Sequence, residues 1–125
     1  MSQNGSFHNE LIVEHYLHPR NFGKLEFFTN KGHFSNPSCG DEITVYLDIS
    51  GGTIKKISFE GRGCSLCIAS MSLLSEKILE KTVESILFED EFVLDLTGTP
   101  ADSKRKMCVM IGNFAIKDAL QNIKT

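Results

Sequence analysis

The sequence has no run of apolar residues approaching the roughly 18–20 that cross a bilayer, so no membrane span is expected. It also lacks a basic excess. Thirteen lysines and arginines stand against sixteen acids, a formal net charge of −3, whereas phosphate backbones are bound by basic surfaces. Nucleic acid is therefore not an expected partner. The opening residues, MSQNGSFHNE, have neither a basic start nor an apolar stretch and do not read as a secretory signal. With no signal and no span, a cytoplasmic location is the expectation. Internal repeats, linkers and low-complexity tracts are missing too. What remains is a chain of 125 residues, 41% apolar and 23% charged, suited to one packed domain over residues 1–125.

Cysteines are few, and their placement is informative. In a reducing compartment Cys39, Cys64, Cys67 and Cys108 are metal ligands, catalysts or small buried hydrophobes rather than disulfide partners. Which of these they are depends on the elements that carry them. Residues 7–18 put Leu11, Ile12, Tyr16 and also His15 on one helical stripe, and Pro19 ends that helix. Residues 20–35 read as a connection leading to a short edge strand near His33 to Ser35. In residues 41–49, Ile43, Val45, Leu47 and Ile49 alternate with Glu42, Thr44, Tyr46 and Asp48, the pattern of a half-buried strand. Gly51-Gly52 is a turn, and Ile57 and Phe59 continue the alternation with Ile54 out of phase, which predicts a bulge near Lys55.

Past Gly61 and Gly63 the period changes to that of a helix, with Cys67, Met71, Leu74 and Ile78 on one stripe. A shorter helix is expected from Thr82, then a connection through EDEFVLDLTG. Thr99-Pro100-x-Asp102 reads as a helix start, and Met107, Cys108, Ile111, Ala115, Ala119 and Ile123 as one side of the last helix.

The hairpin brings cysteines together. Its turn is near Gly51, with Cys39 twelve residues before it and Cys64 thirteen after, so both lie at the open end. Asp41, two residues after Cys39, shares its side of the strand and continues the face of Ile43 and Val45. A carboxylate there needs a partner, and a cation held jointly with a thiolate is one. Cys64 opens a helix, where unpaired N–H groups and the dipole favour thiolate. Cys108 supplies a third thiolate if the last helix packs across this end; three sulfurs and one oxygen would suit zinc. Cys67, in a Cys-x-x-Cys with Cys64, is a reserve ligand on helical spacing, against a core role on the stripe it shares with Met71. His18 and His33 read as exposed or satisfied histidines. Lys104-Arg105-Lys106 reads as a solvated helix face, or as a cluster steering an acidic partner toward Cys108.

The segments HYLHPRNFGKLE, NPSCGDEITVYLDI, ISFEGRGCSLCIASMSLLSE and KMCVMIGNFAIKDAL, in this order and spacing, resemble the IscU/SufU/NifU N-terminal family of iron–sulfur cluster assembly proteins over nearly the whole chain. The resemblance implies an α+β fold, a small antiparallel sheet of about three strands packed against helices. It also implies a site of Cys39, Asp41, Cys64 and Cys108 that holds zinc or a [2Fe–2S] cluster, or both in turn. The chain departs from the pattern in places. Met107 stands where the IscU branch has a histidine. TPADSKRKMC replaces a Leu-Pro-Pro-Val-Lys motif, which argues against recognition by a dedicated chaperone. The Cys64–Cys108 interval is the shorter, IscU-like one, without the extra segment of SufU-like chains.

Three functions compete. In the first, the protein accepts sulfur from a cysteine desulfurase, with Cys39 the candidate acceptor, and is the scaffold of a transient [2Fe–2S] cluster passed to recipient apo iron–sulfur proteins. In the second it is a SufU-like zinc-dependent sulfur acceptor, with a sulfurtransferase activity the first lacks. The third is a structural zinc protein that binds a partner and transfers nothing.

Overall fold

The alternation in residues 41–49 builds the centre of the fold. In the computed structural model, which describes residues 9–38, 40–86 and 90–121, strand β2 runs Asp41–Ser50 and β3 runs Thr53–Arg62, joined at Gly51-Gly52. Val45 lies opposite Phe59 and Leu47 opposite Ile57. Asp48 pairs with Lys56 but Ile49 with Ile54, so Lys55 is the extra residue of a bulge. The phase slip at Ile54 has its cause there, and the bulge leaves Ile54 fully buried along with Phe59.

Strand β1 (Asn30–Asn36) pairs with the other edge of β2, from Asn30 opposite Leu47 to Asn36 opposite Asp41. It is longer than the edge strand expected near His33 to Ser35. The sheet is antiparallel in the order β1-β2-β3. Around it stand helices α1 (Asn9–Leu17), α2 (Ser65–Ile78), α3 (Asp90–Thr97) and α4 (Lys106–Gln121), with one 3-10 turn at Glu84–Ile86. This is the expected α+β architecture in one domain.

Ile43, Val45 and Leu47 are fully buried on the inner face, where α4 packs on β1 and β2 and α2 packs on β3. Contact between β1 and α4 is backbone to backbone. A Cβ on Gly32 would lie on the Ala115 carbonyl and the Ala119 amide, so only glycine fits. Asn30 donates to the Ala119 carbonyl at 2.7 Å, satisfying an acceptor in the last turn of α4.

Helix α2 is buried nearly all round. Cys67, Met71, Leu74 and Ile78 form the expected stripe at 0% exposure, but Ser70, Ser72 and Ser75 are equally buried. Their hydroxyls are satisfied locally, Ser70 by the Leu66 carbonyl and Ser75 by that of Ser72. Ser72 meets α1: its hydroxyl lies 2.7 Å from His15 Nδ1 and accepts the Arg20 N–H at 2.8 Å.

Several expectations shift. Among the described side chains of α1, Ile12 and His15 are the buried ones; Leu11 and Tyr16 face outward, because a nine-residue helix resting chiefly on α2 covers a narrow strip. EDEFVLDLTG contains helix α3, with Val93 and Leu94 turned inward. Thr99 does not start the last helix. Its N–H closes on the Leu94 carbonyl and its hydroxyl on Thr97, finishing α3, and α4 begins only at Lys106. Met107 is exposed, and Ile123 lies outside the described residues. Among the described residues no helix is long and apolar enough to cross a membrane.

Candidate metal and sulfur site at the open end of the hairpin

Three elements end at one place. Asp41 is the first residue of β2 and is buried, pointing inward in phase with Ile43 and Val45 as the period of two requires. Cys64 is the N-cap of α2, with extended backbone that leaves its side chain off the helix axis. Cys108 sits in the first turn of α4, its N–H closed on the Arg105 carbonyl. The condition placed on Cys108 is therefore met: α4 does pack across the open end. One ligating atom from each of Asp41, Cys64 and Cys108 lies within 4.8 Å of the others.

Asp41 is held by the helix start. One carboxylate oxygen accepts the Cys64 N–H at 3.3 Å, and the other lies 3.8 Å from Cys64 Sγ. The approach depends on Gly63, where a Cβ would stand 2.7 Å from Asp41 Oδ1. Arg105 closes the far side. Its guanidinium donates to Cys64 Sγ at 3.2 Å, and hydrogen bonds to Cys64 and then Cys108 raise its pKa. Burial pushes the Cys108 thiol up to about 11, with the Arg105 hydrogen bond opposing the rise and Cys64 adding to it. A half-buried thiol with a raised pKa, beside a carboxylate and a second sulfur, is a set that a cation would complete by displacing the proton.

The Asp41–Cys64 spacing suits two ligands of one tetrahedral ion. Two ligand atoms at about 2.0–2.3 Å from one zinc stand about 3.5–3.8 Å apart, and the Asp41–Cys64 pair is at 3.8 Å. Two soft sulfurs with one hard oxygen also suit zinc or iron. The donor set present can therefore hold either.

The other expected residues fall as follows. Cys39 lies outside the described residues. Cys67 is at 0% exposure in the core cluster and does not join the Asp41–Cys64–Cys108 group. His33 is exposed and sits 3.4 Å from Glu42. Arg105 is exposed, as a solvated face requires, and its guanidinium also donates to Cys64 Sγ, a contact the sequence reading lacks. Its signal was a position three residues before Cys108, which carries meaning only when both sit in one helical turn. The sequence marks Gly63 as a break in period, and its close approach to Asp41 appears in the structure.

Known proteins resemble this chain over the same span. The family described as NifU-like N terminal domain matches residues 7–125. The iron-sulfur cluster assembly scaffold protein IscU 1 of Archaeoglobus fulgidus is 33% identical over 116 residues, covering 90% of this chain and 74% of the relative. The zinc-dependent sulfurtransferase SufU of Bacillus subtilis is 32% identical over 91 residues, covering 73% of this chain and 61% of the relative. Among solved structures, a nitrogen-fixing NifU-like protein (N-terminal) from Brucella abortus has a TM-score of 0.76 at 18% identity, covering 93% of both chains, and shares the fold.

Proposed function

We propose a function that proceeds from one fact: the chain belongs to the family of NifU-like N-terminal domains. It is an iron–sulfur cluster assembly scaffold. Cys39, Asp41, Cys64 and Cys108 hold a transient [2Fe–2S] cluster as cargo, formed with sulfur from a cysteine desulfurase and passed to apo-proteins. The observation that carries this reading is the convergence of Asp41, Cys64 and Cys108 within 4.8 Å from the ends of three elements. A site at element ends is open to loading and to release. Asp41 adds the hard oxygen that makes the set weaker than four thiolates, which suits a cluster meant to leave.

Sulfur acceptance needs no net redox change. A site thiolate, Cys39 in this reading, attacks the outer sulfur of the donor's persulfide, the donor's sulfur–sulfur bond breaks, and the donor cysteine leaves as thiolate. Sulfide formation then needs electrons from an added reductant such as a dithiol. Arg105 supports the step by holding positive charge on the sulfurs while they carry negative charge.

A second reading is favoured by one residue. Met107 takes the place of a possible extra ligand before Cys108 and is exposed, leaving a three-cysteine, one-aspartate set of the kind that would keep zinc. The protein would then be a zinc-dependent sulfur acceptor.

Anaerobic native mass spectrometry after incubation with desulfurase, cysteine, ferrous iron and dithiol separates the two. Addition of two irons and two sulfides, with any zinc lost, supports the scaffold. Retained zinc with one added sulfur supports the acceptor and sinks the scaffold. An unchanged mass sinks both.

A further inference from the structure

A second feature adjoins the site. Tyr16, Leu17, Pro19, Phe22 and Ile68 line a groove of about 470 Å³ that ends on Gly61 to Gly63. Leu17 is 61% exposed and Phe22 51%, so large apolar surface faces solvent beside a chemical site, a mark of interaction surfaces.

The floor of this groove is an open sheet edge. At Phe59 the backbone turns its polar groups away from β2: its N–H donates to the Asn21 carbonyl at 2.9 Å and its carbonyl accepts the Gly23 N–H at 2.7 Å. Lower on the strand, Ile54 is covered in the same way by Lys81 and Glu80. The period of two puts the Gly61 N–H and carbonyl on the same outer edge as those of Phe59. No backbone partner meets them among the described residues. The edge is thus capped at Ile54 and at Phe59, and among the described residues no backbone group covers it at Gly61, the end that leads to Cys64.

We infer that this groove docks an extended, acidic segment of the sulfur-donating protein, which adds to the β3 edge at Gly61 and lies along Leu17 and Phe22. Strand addition takes its affinity from main-chain bonds and its selectivity from pockets for alternate side chains. Charge points to acid. Among the described residues the one charged residue lining the groove is Arg62, 81% exposed on its side chain and paired with Glu42, and Arg105 stands beyond Gly63. Continuity points to the sulfur donor. Gly63 and Arg62 line both the groove and the thiol cleft, so at about 3.3 Å per residue an extended chain paired at Gly61 reaches Cys64 within about three residues. The inference rests on the sulfur-accepting reading above and names where the donor holds on.

The test uses the full chain labelled with ¹⁵N and a cysteine desulfurase from the same cells. Hydrogen exchange of the Gly61 amide is expected to slow at least about tenfold in the complex. Leu17→Asp is expected to raise the KM for desulfurase about tenfold, with kcat and melting temperature kept. Tyr16→Ser is the second groove variant should Leu17→Asp alter folding. Phe27→Asp, at an 80% exposed residue outside the groove, is expected to change nothing. Sulfur transfer without protection of Gly61, or with Leu17→Asp at wild-type KM, overturns the groove and leaves the function standing. Binding that protects Gly61 without transfer supports the groove and sinks sulfur acceptance. No binding at all overturns the groove.

Discussion

Replacing Gly63 by alanine tests whether Asp41 belongs to the site. The added carbon would stand 2.7 Å from Asp41 Oδ1 and 2.8 Å from its Cγ, against an ordinary contact of about 3.5 Å. The carboxylate must therefore retreat by roughly 0.5–1 Å. Asp41 is only 4% exposed, and a retreat breaks its bond to the Cys64 N–H, already 3.3 Å long. A hydrogen bond to a charged group contributes about 1.5–3 kcal/mol. The backbone at Gly63 has φ +158°, at the border of what side chains accept, which adds to the loss. A total of about 2–3 kcal/mol corresponds to a melting temperature roughly 6–12 °C lower for a domain of this size. Zinc affinity, read by competition with a chromogenic chelator, is expected to fall about 10–100-fold, as when a ligand's support is removed. A lower melting temperature with zinc affinity within about threefold of wild type would refute the reasoning, since the metal would then be held by sulfur alone.

Three further outcomes are expected. Burial holds the His15 pKa below its usual 6.5; Arg20 lowers it further, and Glu76 and Glu14 work the other way. The native state then binds fewer protons than the unfolded one. His15 stabilises fully above about pH 6.5 and loses that contribution as pH falls, with a slope up to about 1.4 kcal/mol per unit. Denaturant titrations of His15→Gln should show this slope reduced, and an unchanged slope would place the acid sensitivity elsewhere. Cys67→Ala should keep full zinc content by elemental analysis while costing about 1 kcal/mol of stability; loss of zinc would restore Cys67 as a ligand. Both polar atoms of the Asn113 side chain are buried and meet no hydrogen-bond partner among the described residues. Asn113→Ala should therefore cost less than about 1 kcal/mol, whereas Ile111→Ala, equally buried, should cost about 2–5 kcal/mol by calorimetry. A large loss at Asn113 would mean that a bound water holds the amide.

The hairpin was legible because its signals are local. Gly51-Gly52 marks the turn, and the misplaced phase of Ile54 announces the bulge before any contact is known. Counting outward from that turn puts Cys39 and Cys64 at the open end with Asp41 on the side of Cys39, and the structure adds the contact of Asp41 with Cys64. Cys108 was legible only as a condition, because its place depends on how α4 crosses β1, and Gly32 allows that crossing by having no side chain to keep Ala115 away. Helix α3 escaped detection. Eight residues are marginal as a helix on their own, and Asp90–Thr97 gains its order from packing Val93 and Leu94 against α4 and α2. Thr99 and Pro100 carry a helix-start signature, yet the threonine is consumed in closing α3. The serines of α2 look like a solvent face until His15 and Arg20 are seen to use Ser72.

The route from α2 to α4 passes through Glu84–Ile86, α3 and a run of turns ending at Arg105, while Asp41 and Cys64 are placed by the hairpin and the start of α2. A lineage can therefore lengthen or shorten that route without retuning the chemistry, provided Arg105 still meets the thiols and α4 still starts over the hairpin mouth. Descendants of one ancestor are free to diverge there in size and in the proteins they meet, while the few atoms that handle sulfur stay where they were.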